Sequence, residues 1–349
     1  FRTRSDTEVL VHGWEAWGSD LPGRLDGMFA FAVWDERRGA LLLARDRAGQ
    51  KPLHLARLPG RLLFASEAGA LRDVPGVDGS VDPAGFPFYL AYGYVPTPRT
   101  FYAGIDRLPP AHRLVVEDGR PGEPERYWRL DWTPRTVPFD EAVREVRDRV
   151  TAAVERRLVA DVPLGAFLSG GVDSTVVVGL MSRLADEPVR TFSLGFADDA
   201  SYDETAYARL AADRFGTDHT EFTVEAHHVE LVDELVDAYD EPFGDSSAIP
   251  TWLVSRLTRE HVTVALTGDG GDELFAGYPR FVGAVIAERL PAPAVAVGRL
   301  LGRAFPHHPD FRHPTRRFTR FFEAASLPAA ERTLRWIGFL PHRLTEVLR

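Results

Sequence analysis

The segment Leu168-Ser169-Gly170-Gly171-Val172-Asp173-Ser174 decides the fold of the second half of this chain. It follows an apolar run of the length typical of a buried strand, and apolar residues at helical spacing follow it. A glycine turn between a strand and a helix leaves several backbone N–H groups free to bind an anion, and the helix dipole adds positive potential there. The lysine of a Walker loop is absent, and an aspartate in its place suits a polyphosphate that carries Mg²⁺. The segment therefore predicts a loop that binds nucleotide phosphates.

Strand and helix patterns alternate on both sides of this segment. The predicted strands, each followed by a helical pattern, are 162–168, 189–196, 219–224 and 262–267. This alternation predicts an α/β domain with a doubly wound parallel sheet that helices cover on both faces. Open parallel sheets bind ligands at the carboxyl ends of their strands. The strand that ends with Thr191–Phe196 offers an apolar side chain and free backbone groups that could seat an adenine.

A second glycine turn, Thr267-Gly268-Asp269-Gly270-Gly271-Asp272, follows the last predicted strand. One capping acid would explain a helix start, but this turn and the next residue, Glu273, carry three acids among three glycines. Asp173 and Asp272 thus stand at two strand ends, as a Mg²⁺ ion shared by two carboxylates and phosphate oxygens requires. We expect both loops to form one site.

The first half of the chain has a different pattern. Ser5-Asp6-Thr7-Glu8 resembles a capping box ahead of an amphipathic helix that runs to Trp17. Short apolar runs separated by turns then predict an antiparallel meander of strands 28–34, 41–45, 52–57 and 62–65. Further strand-like pieces lie at 114–116 and 127–128, with a Pro/Gly-rich loop over 119–124. The pattern changes near residue 133, which predicts an α+β domain over 1–132 and the α/β domain over 133–349.

Composition excludes several classes of protein. The net charge of −10 argues against a nucleic-acid-binding surface, which usually carries a basic excess. The sequence contains no Cys, which excludes disulfides and makes the cytoplasm the default location. No apolar run approaches the ~20 residues that a membrane-spanning helix needs.

Several motifs together resemble those of glutamine-hydrolysing asparagine synthetases. Segments 168–174, 191–196, 241–250 and 268–278 resemble the ATP-pyrophosphatase domain of that family. In the first half, segments 5–9, 27–32, 44–53 and 64–67 resemble a class II glutamine amidotransferase domain of the N-terminal nucleophile type. The resemblance covers essentially the whole chain, and the motifs follow the family's order.

The resemblance implies a carbon–nitrogen ligase that hydrolyses glutamine to ammonia and activates aspartate with ATP as β-aspartyl-AMP. It assigns Leu168, Leu194, Thr267 and Gly268 to ATP, and the run from Ser169 to Ser174 to its pyrophosphate end. Asp173 and Asp272 would hold Mg²⁺. Asp269 would serve the aspartyl-adenylate step, and Asp6 would pair with the α-ammonium of glutamine, although helix capping also explains an acid at that position.

Two family features are missing from the sequence. The glutaminase nucleophile of the family is an N-terminal Cys, and a Lys near the pyrophosphate comes from the C-terminal part of its synthetase domain. The resemblance therefore implies that this chain is a fragment without either terminus. It also suggests a homodimer.

Two other functions fit the same motifs. An ATP-dependent amide ligase of a natural-product pathway, forming a β-lactam or a cyclic peptide, would share this architecture, although the intact Asp6 and segment 45–53 argue against it. A degenerate, non-catalytic homologue is the other alternative, and the intact Asp173, Asp269 and Asp272 argue against that.

Overall fold

The computed structural model describes residues 1–197, 203–224, 231–306, 308 and 313–338. These residues form two compact units. The first contains Phe1–Arg135 together with Asp233–Asp245, and the second contains Thr136–Val232 together with Ser246–Gly338. The predicted boundary between residues 132 and 133 refers to family domains and stays a prediction. The two compact units do not follow it, because the segment Asp233–Asp245, here called the returning segment, belongs to the first unit.

The described elements follow in chain order. In residues 1–135 they are α1 (Thr7–Trp17), α2 (Leu21–Arg24), β1 (Ala30–Asp35), β2 (Ala40–Arg45), β3 (His54–Leu58), β4 (Arg61–Ala65), α3 (Gly69–Arg72), α4 (Gly85–Tyr92), β5 (Asp106–Arg107), β6 (His112–Glu117), β7 (Arg120–Pro121) and β8 (Glu125–Arg126), with a 3₁₀ turn at Gly18–Asp20. In the remaining chain they are α5 (Phe139–Arg157), β9 (Leu164–Phe167), α6 (Val172–Leu184), β10 (Arg190–Phe196), α7 (Thr205–Phe215), β11 (Asp218–Val224), α8 (Val232–Tyr239), α9 (Ala248–Thr258), β12 (Val264–Leu266), α10 (Gly271–Phe275), α11 (Pro279–Arg289), α12 (Ala292–Ala304), α13 (Pro314–Ala324) and α14 (Ala329–Ile337).

The first unit has antiparallel sheets, as the sequence predicts, but the single meander is wrong. One sheet has the order β1-β2-β6-β7 with β8 also paired to β6, and the other has the order β4-β3-β5. The chain leaves the first sheet after β2 because Asp46 folds the next residues into a tight loop. Its carboxylate accepts hydrogen bonds from the backbone N–H groups of Ala48, Gln50 and Lys51 at 2.9–3.1 Å.

Other local predictions are also corrected. Tyr127 lies just after β8 rather than in a strand, and the predicted loop over 119–124 contains β7. Pro293 lies in the first turn of α12. A proline is tolerated there because the N–H that it lacks would have no intrahelical partner.

The second unit has the predicted parallel sheet, with strand order β11-β10-β9-β12. Helices α5, α6 and α7 pack with β9 around one apolar core. The buried residues of this core include Val154, Ala166, Val178, Met181 and Ala208. The chain adds β10 and β11 on one side of β9 and then returns to place β12 on the other. The direction of winding therefore reverses between β9 and β12, which is where open α/β sheets bind their ligands.

The returning segment, Asp233–Asp245, belongs to the first unit because polar contacts hold it there. Arg107 Nη2 donates to Glu241 Oε2 at 2.6 Å, and Glu241 is only 6% exposed. Tyr102 donates its hydroxyl proton to the carbonyl oxygen of Asp240 at 2.6 Å. The N–H of Gly244 donates to the carbonyl oxygen of Gly93 at 2.7 Å.

Candidate active site

The loop after β9 is braced by its own two serines. Ser174 Oγ donates to the carbonyl oxygen of Gly171 at 3.3 Å, and Ser169 Oγ lies 3.0 Å from Ser174 Oγ. Ser169 Oγ also accepts a hydrogen bond from the N–H of Gly171 at 3.2 Å. Helix α6 begins at Val172, so the N–H groups of residues 172–174 have no intrahelical partner. The N–H groups at this helix start are therefore available to an anion.

Gly170 is required in this loop for two reasons. Its φ of +81° lies in the left-handed region that favours glycine. A Cβ at this position would lie 2.5 Å from Tyr207 Cβ and 2.6 Å from the backbone nitrogen of Ala208. The first turn of α7 therefore packs directly against the loop, and any side chain at residue 170 would push the two apart.

The loop after β12 lies against the loop after β9. A Cβ on Gly268 would be 2.6 Å from the backbone nitrogen of Ser174. A Cβ on Gly271 would be 2.5 Å and 2.8 Å from the two carboxylate oxygens of Asp173. The glycines thus allow the two loops to touch at the point where the sheet reverses direction. The structure brings together Asp173, Ser174, Gly268 and Gly271.

The acidic residues of the second loop are held by backbone and side-chain contacts. The N–H of Asp269 donates to Thr267 Oγ1 at 3.2 Å, and the N–H of Gly277 donates to the carbonyl oxygen of Asp272 at 2.9 Å. A Cβ on Gly277 would lie 2.8 Å from Asp272 Cγ, so the Asp272 carboxylate rests on a bare backbone. These contacts fix the backbone around Asp269 and Asp272.

Tyr278 closes the same turn. Its hydroxyl donates to Glu273 Oε1 at 2.6 Å, which lowers the pKa of Glu273 and raises that of Tyr278 to about 12. The guanidinium of Arg280 lies 3.7 Å from the centroid of the Tyr278 ring. The three acids of this turn therefore differ in role. Glu273 accepts a structural hydrogen bond from Tyr278, and the sequence alone did not distinguish it from Asp269 and Asp272.

A cavity of about 270 Å³ opens at the carboxyl ends of β9 and β10. It is lined by Phe167, Leu168, Ser169, Phe192, Ser193, Leu194, Phe196, Glu204, Thr205, Pro250, Thr251 and Val254. Leu168, Ser169 and Leu194 were predicted to contact ATP, and the structure places them around one cavity. Sequence reasoning missed the contribution of α9. The signal was present in segment 241–250, a family motif to which no role was given.

The Mg²⁺ prediction can be tested against the available donor atoms. Among the described residues, no group of three or more His, Cys, Asp or Glu side chains could hold a metal ion. Mg²⁺ is normally held by one or two carboxylates together with substrate phosphates, not by a cage of protein ligands. Asp173, beside the free N–H groups of α6, and Asp272, on the touching loop, fit that role.

Asp6 lies at the start of α1 in the other unit. It occupies the N-cap position, but its carboxylate makes no capping hydrogen bond. Ser5 Oγ instead accepts a bond from the N–H of Thr7 at 3.2 Å. Glu8 accepts bonds from the Thr3 hydroxyl and the N–H groups of Arg2 and Thr3, which together lower its pKa to about 2. The capping explanation for Asp6 is therefore not supported; its exposed carboxylate accepts a long hydrogen bond from the Thr7 hydroxyl at 3.4 Å.

Comparison with known proteins agrees with this geometry. Residues 145–345, more than half of the chain, match the family model described as asparagine synthase. The chain belongs to the asparagine synthase family. Residues 1–128 match the model of a glutamine amidotransferase domain. Both predicted family resemblances are thereby confirmed.

The relatives of this family member are longer proteins. The chain is 36% identical to putative glutamine-hydrolyzing asparagine synthetase 2 of Methanocaldococcus jannaschii, over 79% of this chain and 54% of the relative. It is 32% identical to glutamine-hydrolyzing asparagine synthetase 1 of Bacillus subtilis, over 80% of this chain and 44% of the relative. It therefore spans about half the length of the curated relatives that it matches. A glutamine-dependent NAD⁺ synthetase structure from Acinetobacter baumannii covers 79% of this chain and 67% of its own, at 12% identity and a TM-score of 0.29, too low to support an inference.

Proposed function

We propose that this chain is part of a glutamine-hydrolysing asparagine synthetase. The observation that carries the proposal is the contact between the Asp173 carboxylate and the turn at Gly271. This contact joins two glycine-rich loops, of the kind that binds phosphate, where the winding of the sheet reverses direction. A cavity beside this contact is lined by Leu168 and Leu194 and is open to the same strand ends. The reaction would convert aspartate, ATP and glutamine-derived ammonia into asparagine, AMP and pyrophosphate.

In the second unit, the aspartate β-carboxylate would attack the α-phosphorus of ATP and release pyrophosphate. The unpaired N–H groups at 172–174 would bind the departing pyrophosphate, with Ser169, Gly170 and Gly171 shaping the loop around it. Mg²⁺, when bound, would neutralise phosphate charge. Asp173 and Asp272 would supply its protein ligands.

The aspartyl-adenylate would then react with ammonia. Ammonia attacks the acyl carbon, AMP leaves with the bonding pair, and the nitrogen loses a proton. We propose that Asp269 accepts this proton or holds the intermediate, because its backbone is fixed beside Thr267 and Gly268. Thr267 and Gly268 would lie beside the nucleotide.

In the first unit, the exposed carboxylate of Asp6 would pair with the α-ammonium of glutamine. The absence of a capping bond to Asp6 supports this role, since the carboxylate is exposed and accepts only a long hydrogen bond, from the Thr7 hydroxyl at 3.4 Å, among the described residues. Charge-assisted hydrogen bonds of this kind are stronger than neutral ones and fix the orientation of a small substrate.

We propose the finer domain descriptions on the same basis. The antiparallel unit would be an N-terminal nucleophile-type amidotransferase domain, and the parallel unit a doubly wound ATP-pyrophosphatase domain. A cytoplasmic location and a homodimer are further proposals. Among the described residues, no helix is both long and apolar enough to cross a membrane.

The products formed from ATP test this proposal. The full-length protein, given ATP, Mg²⁺, aspartate and ammonia, should form AMP and pyrophosphate together with asparagine in equal amounts. Formation of ADP and phosphate, or AMP formation that does not depend on aspartate, would contradict it. AMP formation that instead requires another carboxylic acid would favour the amide ligase of a natural-product pathway, and no turnover with any acid would favour a non-catalytic homologue.

A further inference from the structure

Helix α10, which carries Asp272, contributes no buried residue to the described part of the chain. It is only five residues long, and the side chains of Leu274 and Phe275 are 78% and 57% exposed. A helix this short is not stable by itself in water, and most helical stability in proteins comes from packing of an apolar face. Contacts of another kind must therefore hold Asp272 in place.

Tyr278, the residue before α11, supplies such a contact. Its hydroxyl donates to Glu273 Oε1 at 2.6 Å and so links α10 to the start of the next helix. The guanidinium of Arg280 lies 3.7 Å from the centroid of the Tyr278 ring, and the ring of Phe281 lies beside it with centroids 6.2 Å apart. Both contacts are attractive at these distances. Side chains of α11 therefore hold the ring of Tyr278, whose hydroxyl holds α10.

The chain between Glu273 and Tyr278 closes on Asp272. The N–H of Gly277 donates to the carbonyl oxygen of Asp272 at 2.9 Å, and Ala276 has a φ of +58°, in the left-handed region. This conformation is uncommon for a residue other than glycine, so surrounding contacts must maintain it. The Asp272 carboxylate lies against Gly277, where an added Cβ would be 2.8 Å from Cγ. A shift of Tyr278 would therefore move the backbone on which this carboxylate rests.

We propose that Tyr278 and Glu273 are positioning residues for the Mg²⁺ site, and that their hydrogen bond orients the Asp272 carboxylate. This inference rests on the proposed function, in which Asp272 is a ligand of the metal. Groups that hold a metal ligand in position typically contribute 10- to 100-fold to metal affinity. Glu273 acts here as a hydrogen-bond acceptor and not as a further ligand, so its charge is not required.

The first test is Tyr278→Phe, which removes the hydroxyl and keeps the ring. Calorimetry of the full-length protein measures binding of an ATP analogue with a methylene bridge between its α and β phosphates, with and without Mg²⁺. The Mg²⁺ gain, defined as the factor by which Mg²⁺ tightens this binding, should fall roughly tenfold. Affinity without metal should be unchanged, which also shows that the nucleotide site is folded.

The matched control is Tyr207→Phe in α7. The Tyr207 hydroxyl makes no hydrogen bond among the described residues, and its side chain is 65% exposed. This variant should keep the wild-type Mg²⁺ gain. A Tyr278→Phe protein that binds the analogue more weakly by the same factor with and without Mg²⁺ would show a general structural role and would overturn the proposal.

The second test separates hydrogen bonding by Glu273 from its charge. Glu273→Gln keeps a side-chain oxygen that can accept from Tyr278, and it should keep most of the Mg²⁺ gain. Glu273→Leu is similar in size but has no acceptor, so it should lose the gain as Tyr278→Phe does. Combining Glu273→Leu with Tyr278→Phe should cause no further loss, because both changes remove the same bond. Equal loss in Glu273→Gln and Glu273→Leu would overturn the positioning role of Glu273.

Failure of this inference can be distinguished from failure of the proposed function. If Mg²⁺ tightens binding of the analogue to the wild-type protein and to Tyr278→Phe by the same factor, the positioning role is overturned and the metal site stands. If the wild-type protein binds the analogue equally well with and without Mg²⁺, or does not bind it, the proposed site itself is wrong. The positioning role is then overturned with it.

Discussion

The carboxylate of Asp173 rests on the bare backbone of Gly271, and there is no space between them for a methyl group. The two residues are far apart in sequence and come from loops that follow different strands. Their contact determines where the carboxylate of Asp173 can point. Close packing of this kind transmits small volume changes directly, because protein interiors have few voids.

The first prediction is that Gly271→Ala displaces Asp173. The added methyl group must move the carboxylate or the turn, so aspartate-dependent ATP–pyrophosphate exchange should fall by roughly tenfold or more, since catalytic geometry tolerates little misplacement. The matched control is Gly283→Ala in α11, where an added Cβ would make only ordinary contacts, 3.5 Å from Trp336. Wild-type exchange in Gly271→Ala would show that the close approach has no catalytic role.

The second prediction concerns the charge of Asp173. Asp173→Asn should lower ATP–pyrophosphate exchange by about a hundredfold or more, because one carboxylate ligand for Mg²⁺ is lost. Glutamine hydrolysis should stay largely intact. Asp186→Asn, at an exposed position in the same unit, serves as the control for general loss of negative charge. Equal loss of both activities in Asp173→Asn would count against the assignment.

The third prediction concerns Asp6. Asp6→Asn should reduce glutamine-dependent synthesis by roughly 10- to 150-fold, the loss expected when one charged partner of a hydrogen bond is removed. Synthesis with added ammonia should be spared. Helix α1 should keep its stability, since the Asp6 carboxylate does not cap it. Ser5→Ala removes the bond that Ser5 does make to Thr7 and should lower stability without this selective effect. Unimpaired glutamine use in Asp6→Asn would exclude the substrate contact.

The fourth prediction concerns the ion pair of the returning segment. Burial raises the pKa of Glu241 although Arg107 opposes this shift, so the pair sits in a poorly solvated place. Arg107→Met leaves a buried carboxylate without its cation and should lower the free energy of unfolding by roughly 3–5 kcal/mol. Adding Glu241→Leu should restore much of the loss. Chemical denaturation measures both variants, and a double variant no more stable than Arg107→Met would contradict the explanation.

The fifth prediction is a pH dependence of stability at His54. Its Nδ1 donates to the carbonyl oxygen of Ser66, and its Nε2 accepts from Arg107. Burial, with the nearby charge of Arg107, lowers the pKa of His54 to about 4. An unfolded histidine titrates near pH 6.5, so the unfolded chain binds the proton first as the pH falls. Stability should therefore decrease between about pH 6.5 and pH 4, by up to roughly 3 kcal/mol.

His54→Asn tests that explanation, because an amide nitrogen can keep the bond to Ser66 and does not titrate. Urea unfolding at several pH values should show a shallower decrease than in the wild-type protein. An unchanged slope between pH 6.5 and pH 4 would assign the pH dependence to other groups.

The sequence alone determined the local elements of the candidate site. The apolar run before Ser169, the glycine turn and the helix after it follow from backbone preferences that act within a few residues, and the structure has β9 and α6 at those places. The same reasoning identified the alternation of strands and helices that predicts a parallel sheet. It also found the second glycine turn at Gly268–Asp272. Local steric rules and the spacing of apolar residues suffice for these features.

Only the tertiary structure decided which distant segments meet. No local preference pairs β2 with β6 instead of β3, or brings Glu241 back to Arg107 in the first unit. The hydrogen bonds of His219 to Ser193 depend on the register of β10 against β11. Such contacts depend on the packing of the whole unit, and the free energy that favours one pairing is a sum over many residues far apart in sequence.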